Sequence, residues 1–441
     1  MSVRVDSQLD YSKLEYSYST LQYQKYVPES GQSSGLITQS GFETLFKIPA
    51  DVVFNFSKCI LEFDLTLPAS ATSTFLHKDS MAYIKQIQVY TPTIMLADIR
   101  NVNNYTKCVW MLENANEYFE YDPFGAGYGA GRQLRRNNSA AVNGTVNCPL
   151  HPVDNSQTSS PYFEKQYVEQ SANATAMVEM LRFPLEMIRY SILSYNKSIY
   201  FGQPVFIRIY WAGINKIAFE AAANTPNPGT PYLSNITLSN IALVVAQEID
   251  PSVRSQLMKK AETGYSFLMP WIEASMVPLS GSMQTVIVPT NRGMGKRLLR
   301  AIYSPFNQNE QLNTAYDNFS TSQTITSLWS EIDGQRIEPF NVNVTEYEDW
   351  MLMKQKLTGS ITFSSNIYDY NWFWLSDFCK MATPSERRTL EDNEEKGVDI
   401  STKERVVKLT VQTTGAVNSN WYVWLITQKE VHIKGNQTYI S

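Results

Sequence analysis

Charge is scarce in this 441-residue chain: Asp, Glu, Lys and Arg together make up 18%, below the quarter or so usual for globular domains. The balance is slightly acidic, 37 Lys and Arg against 42 Asp and Glu for a formal net charge of −5, so no global electrostatic pull toward nucleic acid exists. Cysteine is rarer still, with Cys59, Cys108, Cys148 and Cys379 and no C-x-x-C pair. A chain of this size needs no disulfide staples, and the four read as free thiols in a reducing compartment. Only His77, His151 and His432 occur, far apart and without a His-x-His pair, which argues against a metal-dependent double cupin. No apolar run reaches the roughly 18 residues of a membrane span; the longest candidate, Ile241 to Ala246, is strand-sized. The polar start, MSVRVDSQLDYSKLEY, does not read as a signal peptide, and synthesis in the cytosol is expected.

Tyrosine, asparagine, serine and threonine fill the space that charge leaves, with 26 Tyr, 20 Phe and 9 Trp. β-branched and aromatic side chains suit pleated, half-buried surfaces, while Asn, Ser and Gly supply turns. The composition therefore leans all-β, and the length points to two domains.

Residues 1–40 form a polar, Tyr-rich arm whose charges nearly cancel, so it is expected to lie extended on a neighbour or on its own domain and not on a genome. Alternation then sets in: Leu61, Phe63, Leu65 and Leu67 interleave with Glu62, Asp64 and Thr66, a period of two that turns one face inward. Ile87 and Val89, then Val407, Leu409 and Val411, then Trp421, Val423 and Leu425 repeat the pattern. Asp333-Gly334 carries a tight-hairpin signature, because both central residues of that turn need positive φ. Helices are few. Over 251–263, Asp250 is a natural N-cap, Pro251 sits at the first position, Val253, Leu257 and Ala261 share a face, and Gly264 stops the helix. Shorter helices are expected near 104–114 and 345–357.

An internal duplication is legible. Gly41…Pro49 and Gly281…Pro289 share their Gly and Pro at 281 − 41 = 240, and Asn101-Val102-Asn103 returns as Asn341-Val342-Asn343 at the same offset. Each is followed by Trp-Met-Leu (Trp110 to Leu112; Trp350 to Leu352). Ser239-Asn240 and Ser419-Asn420 open matching closing strands at 419 − 239 = 180, so the first copy holds 240 − 180 = 60 extra residues. These fall where composition changes, around 122–176, with Gly125, Gly127, Gly129, Gly131, Arg132, Arg135 and Arg136. The expected layout is an arm over 1–40, a first β domain over 41–250 with the loop insertion at about 122–176, a linker helix over 251–264 and a second β domain over 265–441. About eight short strands per copy suggest two tandem eight-stranded jelly rolls.

Nothing in the sequence carries catalysis. The Gly125–Gly131 series lacks the buried strand before it and the helix after it that a nucleotide fingerprint needs. Gly293-Met-Gly295-Lys296 resembles a P-loop, but Thr290 stands where glycine is required and Arg297 where the Mg²⁺-binding hydroxyl belongs, so it reads as a turn. Glu346, Glu348 and Asp349 fit the polar face of a helix, Glu391 to Lys396 a solvated loop, and Arg132, Arg135 and Arg136 a solvated glycine loop. Trp372, Phe373, Trp374, Trp421, Tyr422 and Trp424 read as core or subunit contact. No catalytic, cofactor-binding or metal-binding residue is assigned, no cofactor is expected, and the chain is not expected to be an enzyme.

Several segments, in order, resemble the double jelly-roll major capsid proteins of small eukaryotic double-stranded DNA viruses, the virophage and polinton-like virus group. They are Phe183 to Ile188, Ile199 to Gly202, Val205 to Ile209, Ile241 to Gly264, Lys296 to Arg300 and Ile332 to Gly334. The resemblance implies upright rolls, homotrimers with six rolls around a pseudo-sixfold axis, and an icosahedral virion shell assembled inside the host cell. It implies partners in neighbouring trimers, penton and minor capsid proteins and an internal lipid layer, with the arm 1–40 on the inner face and no direct sequence-specific nucleic-acid binding. The competing reading is a two-domain β-sandwich that binds or processes carbohydrate.

Overall fold

Alternating sequences make strands wherever one face can be buried, and β4 (Phe54–Leu67) shows how. In it Leu61, Phe63 and Leu65 are fully buried while Ile60, Glu62 and Asp64 on the other face are only half-buried. The computed structural model describes residues 21–29, 34–37, 42–67, 74–77, 83–113, 167–170, 177–213, 218–222, 225–231, 236–307, 325–338, 341–343, 373–378 and 397–441. The first half of the chain contains β1 (Leu21–Tyr26), β2 (Gly35–Ile37), β3 (Glu43–Ile48), β4 (Phe54–Leu67), β5 (Thr74–His77), β6 (Ile84–Tyr90) and β7 (Met95–Arg100). Helix α1 (Val102–Glu113), β8 (Tyr167–Gln170), β9 (Met177–Pro184), β10 (Ser198–Ile199), β11 (Val205–Trp211), β12 (Ala218–Ala222), β13 (Thr225–Pro231) and β14 (Ile236–Glu248) follow.

One sheet runs β1-β14-β4 and ends on β9 and β10; the sheet facing it runs β3-β11-β6-β7. Numbering the main strands one to eight along the chain, these orders are 1-8-3-6 and 2-7-4-5, the strand succession of a jelly roll. The space between the sheets is apolar: the Phe63 ring meets Trp211 edge-on at 4.9 Å, and the Trp211 indole N–H donates to Thr44 Oγ1 at 2.9 Å. A further small sheet, β13-β12-β5-β8, is built from the connections between main strands. Its strand β8 belongs to the expected insertion, most of which lies outside the described residues.

Helix α2 (Pro251–Thr263) then crosses to the second roll. Its Asp250 side chain accepts from the Ser252 and Val253 N–H groups, Val253, Leu257 and Ala261 are buried, and Gly264 ends it at φ 97°, as its sequence predicts. Next come β15 (Tyr265–Pro289), β16 (Arg297–Asn307), β17 (Ile325–Ile332), β18 (Gln335–Arg336), β19 (Val342–Asn343), β20 (Trp374–Asp377), β21 (Val398–Asp399), β22 (Val406–Lys434) and β23 (Gln437–Ile440). The first half of β15 pairs with the second half of β22, which pairs with β16 and through it with β20 and β21. The second half of β15 pairs with the first half of β22, then β17, then β18 and β19. Both orders repeat 1-8-3-6 and 2-7-4-5. The fold is therefore all-β, two tandem eight-stranded jelly rolls with short helices, and the duplication extends to strand order.

The copies differ at their first strand. In the second roll strands one and two are continuous as β15, which bends at Gly281, where φ is 112° and the register slips. In the first roll the same path is broken into β1, β2 and β3. Both β1 and β2 pair with β14, so Leu21–Tyr26 and Gly35–Ile37 are the edge of the first roll itself. The described part of the 1–40 arm thus lies extended on its own domain, one of the two placements expected for it; with four of its six residues exposed, β1 shows no alternation that would mark it as a strand in the sequence. Residues 1–20 lie outside the described residues. The Asn-Val-Asn repeat also diverges locally, opening α1 in one copy and forming β19 in the other; the expected helix at 345–357 lies outside the described residues.

Candidate functional site

Among the described residues, those that resemble catalytic motifs do not assemble into a reaction centre. In the Gly293–Lys296 stretch, Asn291 Oδ1 accepts from the Gly293 N–H at 3.0 Å, and Gly295 has φ 136° with a Cβ position only 2.5 Å from the Gln428 carbonyl. Only glycine fits there, and Lys296 turns away to pair with Glu430; this is a turn between strands. Among the described residues no group of three or more His, Cys, Asp or Glu is placed to hold a metal. His432 stacks on Tyr439 at 4.7 Å and its Nε2 lies 2.9 Å from Ser441 Oγ. Strand β5 ends at His77. His151, Arg132, Arg135, Arg136, the Gly125–Gly131 series, Glu346, Glu348, Asp349, Glu391 to Lys396, Trp372, Cys148 and Cys379 lie outside the described residues. Cys59 is fully buried, and burial pushes its thiol pKa up to about 12, well outside the reactive range.

What the aromatic residues build is a seam between the rolls. Trp424, on β22, is fully buried; its indole N–H donates across to the Arg100 carbonyl at 3.1 Å and its ring lies 5.7 Å from Tyr105. Tyr105 is held for this by α1, where Val102, Tyr105, Thr106 and Val109 recur at helical spacing and are buried. The Tyr105 hydroxyl donates in turn to the Arg189 carbonyl at 2.9 Å. Arg300, 3% exposed, sets its guanidinium 5.6 Å from the Tyr190 ring centroid and 3.5 Å from the Asp377 carboxylate. Tyr195 of the first roll packs on Phe267 of the second at 4.9 Å. One apolar cluster thus runs through both rolls.

A second set of contacts clamps one end. The hairpin formed by β22 and β23 turns at Gly435 (φ 58°), and Gly202 approaches so closely that a Cβ there would sit 2.7 Å from the Gly435 carbonyl. Gln203 donates to the Asn436 carbonyl, Thr93 Oγ1 to the Thr438 carbonyl at 3.2 Å, and the Tyr265 hydroxyl to the Tyr200 carbonyl at 3.1 Å. Nearby, Lys429 stands 3.8 Å over the Trp271 ring and 3.3 Å from Glu273; burial lowers its pKa against the pull of that carboxylate. Apolar packing, hydrogen bonds and ion pairs together hold the two rolls in one orientation. Among the described residues they present no set of converging reactive groups.

Trp374, Trp421 and Phe373 are buried as expected, Trp421 donating its N–H to Gln284 at 2.8 Å. Arg300 and Tyr190 were not singled out in the sequence as seam residues. Arg300 shares its strand with Arg297, so residue type does not single it out, and the positive φ of Tyr190 (57°) leaves no trace in residue type.

No protein-family profile matches the chain and no curated protein matches it in sequence. Solved structures do match. VP54 of PBCV-1, fitted into a cryo-EM reconstruction of the virophage Sputnik, aligns over 98% of this chain and 99% of its own at 8% identity, with TM-score 0.57. The mavirus major capsid protein aligns over 98% and 94% at 8% identity, TM-score 0.52. The Faustovirus major capsid protein aligns over 96% and 92% at 10% identity, TM-score 0.51. At such identities the likeness is one of fold: this chain has the double jelly-roll architecture of those proteins along nearly its whole length.

Proposed function

We propose that this chain is a major capsid protein, a structural component of a virion shell and not an enzyme. The observation that carries the reading is the seam: two copies of one roll locked side by side, with the same strand order and a shared apolar core. A rigid pair of near-equivalent bodies is a natural tile, because three copies place six similar rolls around one axis and close a ring. The proposed unit is a homotrimer of pseudo-hexagonal outline, many of which tile an icosahedral shell inside the host cell. The domain division proposed for it is a first roll reaching to residue 250, the linker helix 251–264, and a second roll over 265–441. Neighbouring trimers, penton and minor capsid proteins and an internal lipid layer are the proposed partners. Low charge with abundant Tyr, Asn and Thr supports this, since tyrosine buries area at small entropic cost and still hydrogen-bonds.

Size exclusion with light scattering on the purified protein, followed by negative-stain imaging, tests it. A mass near three times the 50.2 kDa chain, or larger shells, is the expected result. A single-copy mass at every concentration would refute the proposal, and glycan-array binding would then test the carbohydrate reading.

A further inference from the structure

We propose that the cavity where β1, the turn before β4 and the start of α2 meet is a binding site for a short zwitterion, a small molecule carrying a primary ammonium and an anionic group. The cavity has a volume of about 320 Å³, at the small end of the range for ligand pockets, about 300–1,000 Å³. Its charged walls are Asp51, Glu248 and Arg254, and Gln24, Tyr26 and Gln247 complete the polar lining. Two carboxylates and one guanidinium thus share one space. Among the described residues no ion pair joins them, and none of the three has an ion pair elsewhere.

Glu248 is only 5% exposed, and its carboxylate accepts from the Asp250 N–H at 3.1 Å and the Ser198 hydroxyl at 3.5 Å. Buried charges are normally paired, because losing their water is costly. The duplication shows that the fold does not ask for this one. At the 180-residue offset Glu248 corresponds to Gln428, which is 2% exposed and neutral. Asp51, two residues beyond the Pro49 that matches Pro289, corresponds to Asn291. Both carboxylates of the cavity therefore stand where the second roll has amides. The second roll closes the same strands with neutral groups, so the negative charge in the first serves something other than folding.

The other groups set the ligand class. Gln247 spends its amide N–H groups on Gln24 Oε1 at 2.8 Å and the Tyr26 hydroxyl at 2.5 Å, which leaves its own side-chain oxygen as an acceptor. That oxygen, Glu248 and Asp51 supply acceptors for the three N–H donors of a primary ammonium. No group of three or more His, Cys, Asp or Glu forms among the described residues, so the pair suits an organic cation better than a metal ion. Arg254 adds the second requirement. Its planar fork of donors matches a phosphate or carboxylate, and an anion there shields the ligand's ammonium from the guanidinium. A ligand with both signs on a short chain meets all three charges at once. Ethanolamine phosphate has that chemistry, free in solution or as the headgroup of a lipid.

Isothermal titration of the full chain with O-phosphoethanolamine, ethanolamine and inorganic phosphate tests the site. O-phosphoethanolamine is expected to bind at millimolar concentration, about 10-fold tighter than either of the other two. Glu248→Gln and Asp51→Asn install the second roll's residues, and each is expected to weaken that binding by about 10-fold. Arg254→Gln is expected to weaken O-phosphoethanolamine by about 10-fold and leave ethanolamine unchanged. Melting curves separate a binding role from a structural one: without ligand, Glu248→Gln should melt at or above the wild-type temperature, since it removes an unpaired buried charge. Phosphatidylcholine vesicles with and without phosphatidylethanolamine distinguish the two sources, and sedimentation that needs both the amine lipid and Glu248 supports the lipid-borne form. Wild type that binds neither the free compound nor the vesicles would overturn the proposal, and so would binding that Glu248→Gln leaves intact. If Glu248→Gln melts lower, Asp51→Asn and Arg254→Gln decide, and binding unchanged by both overturns the site as well.

Discussion

Replacing Trp424 with alanine asks how much the seam contributes. The side chain is fully buried, its N–H holds the Arg100 carbonyl, and its ring packs against Tyr105 and Tyr422. Truncating a buried tryptophan costs about 3–5 kcal/mol, and the lost hydrogen bond is about 1 kcal/mol of that, so ~4 kcal/mol is a fair central figure. Unfolding entropy is about 2.1 cal/mol/K per residue. Spread over all 441 residues that is ~0.9 kcal/mol/K, and Tm should fall by about 4 °C if both rolls melt as one unit. If only residues 265–441 melted together, the same loss would lower their transition by about 11 °C and leave the other unchanged. Scanning calorimetry separates the cases. The shared apolar cluster predicts a single peak for wild type and a single peak about 4 °C lower for the variant. Trp424→Phe, which keeps the ring but not the donor, should cost about 1 kcal/mol. Two wild-type peaks, or no shift in Trp424→Ala, would refute the claim that this seam couples the rolls.

Three further outcomes are expected. Asp333 sits at φ 50° in the Asp-Gly turn and accepts from Arg405 at 2.7 Å and the Val406 N–H at 3.0 Å; Arg405 first, then Val406 and Lys403, hold its pKa down to about 2 from 3.8. A depressed folded-state pKa gives stability that is present above the unfolded value and lost as pH falls from about 4 through 2. Asp333→Asn tolerates the same backbone, so its Tm deficit relative to wild type should close in that window; a constant deficit down to pH 2 would contradict the assignment. Cys59, which donates to the Asn55 carbonyl at 3.1 Å, should resist a thiol reagent at pH 8 in the folded protein and label fully in denaturant, read by peptide mass spectrometry. Native labelling at the rate of a free thiol would count against its burial. Gly202→Ala combines a positive φ of 64° with the Gly435 carbonyl 2.7 Å from the new Cβ, and should destabilise by about 1–3 kcal/mol. Limited proteolysis should then cut near 435 faster than in wild type; an unchanged rate would argue against the clamp.

Much of the fold was legible because period-two alternation, a capped helix and a duplicated register leave marks in residue type. The Asp-Gly turn adopts φ 50° and 79°, and α2 follows its capping residues. The edge strands were not legible. In β1 four of six residues are exposed, so there is no buried face to produce a pattern, and pairing with β14 is decided by backbone hydrogen bonds that any residue can make. The seam was half legible. Trp421 to Trp424 announced burial on both faces, but not which roll covers the second face, since partner identity depends on how α2 aims the chain.

The long strand β22 supplies both the seventh and the eighth strand of the second roll, pairing with β15 from Tyr265 opposite Ile433 to Pro289 opposite Val406. On the ribosome this sets a timetable. The first roll holds all its main strands once residue 248 has emerged, whereas neither sheet of the second can close until β22 is out, up to 434 − 248 = 186 residues later. At about 5–20 residues per second, the first roll waits on the order of 10–40 s with its seam-facing Tyr105 and Tyr190 uncovered. Chains truncated during synthesis therefore lack the strand that completes the seam. Incomplete products remain recognisable to chaperones by that exposed apolar surface and cannot offer a finished second roll to a neighbour.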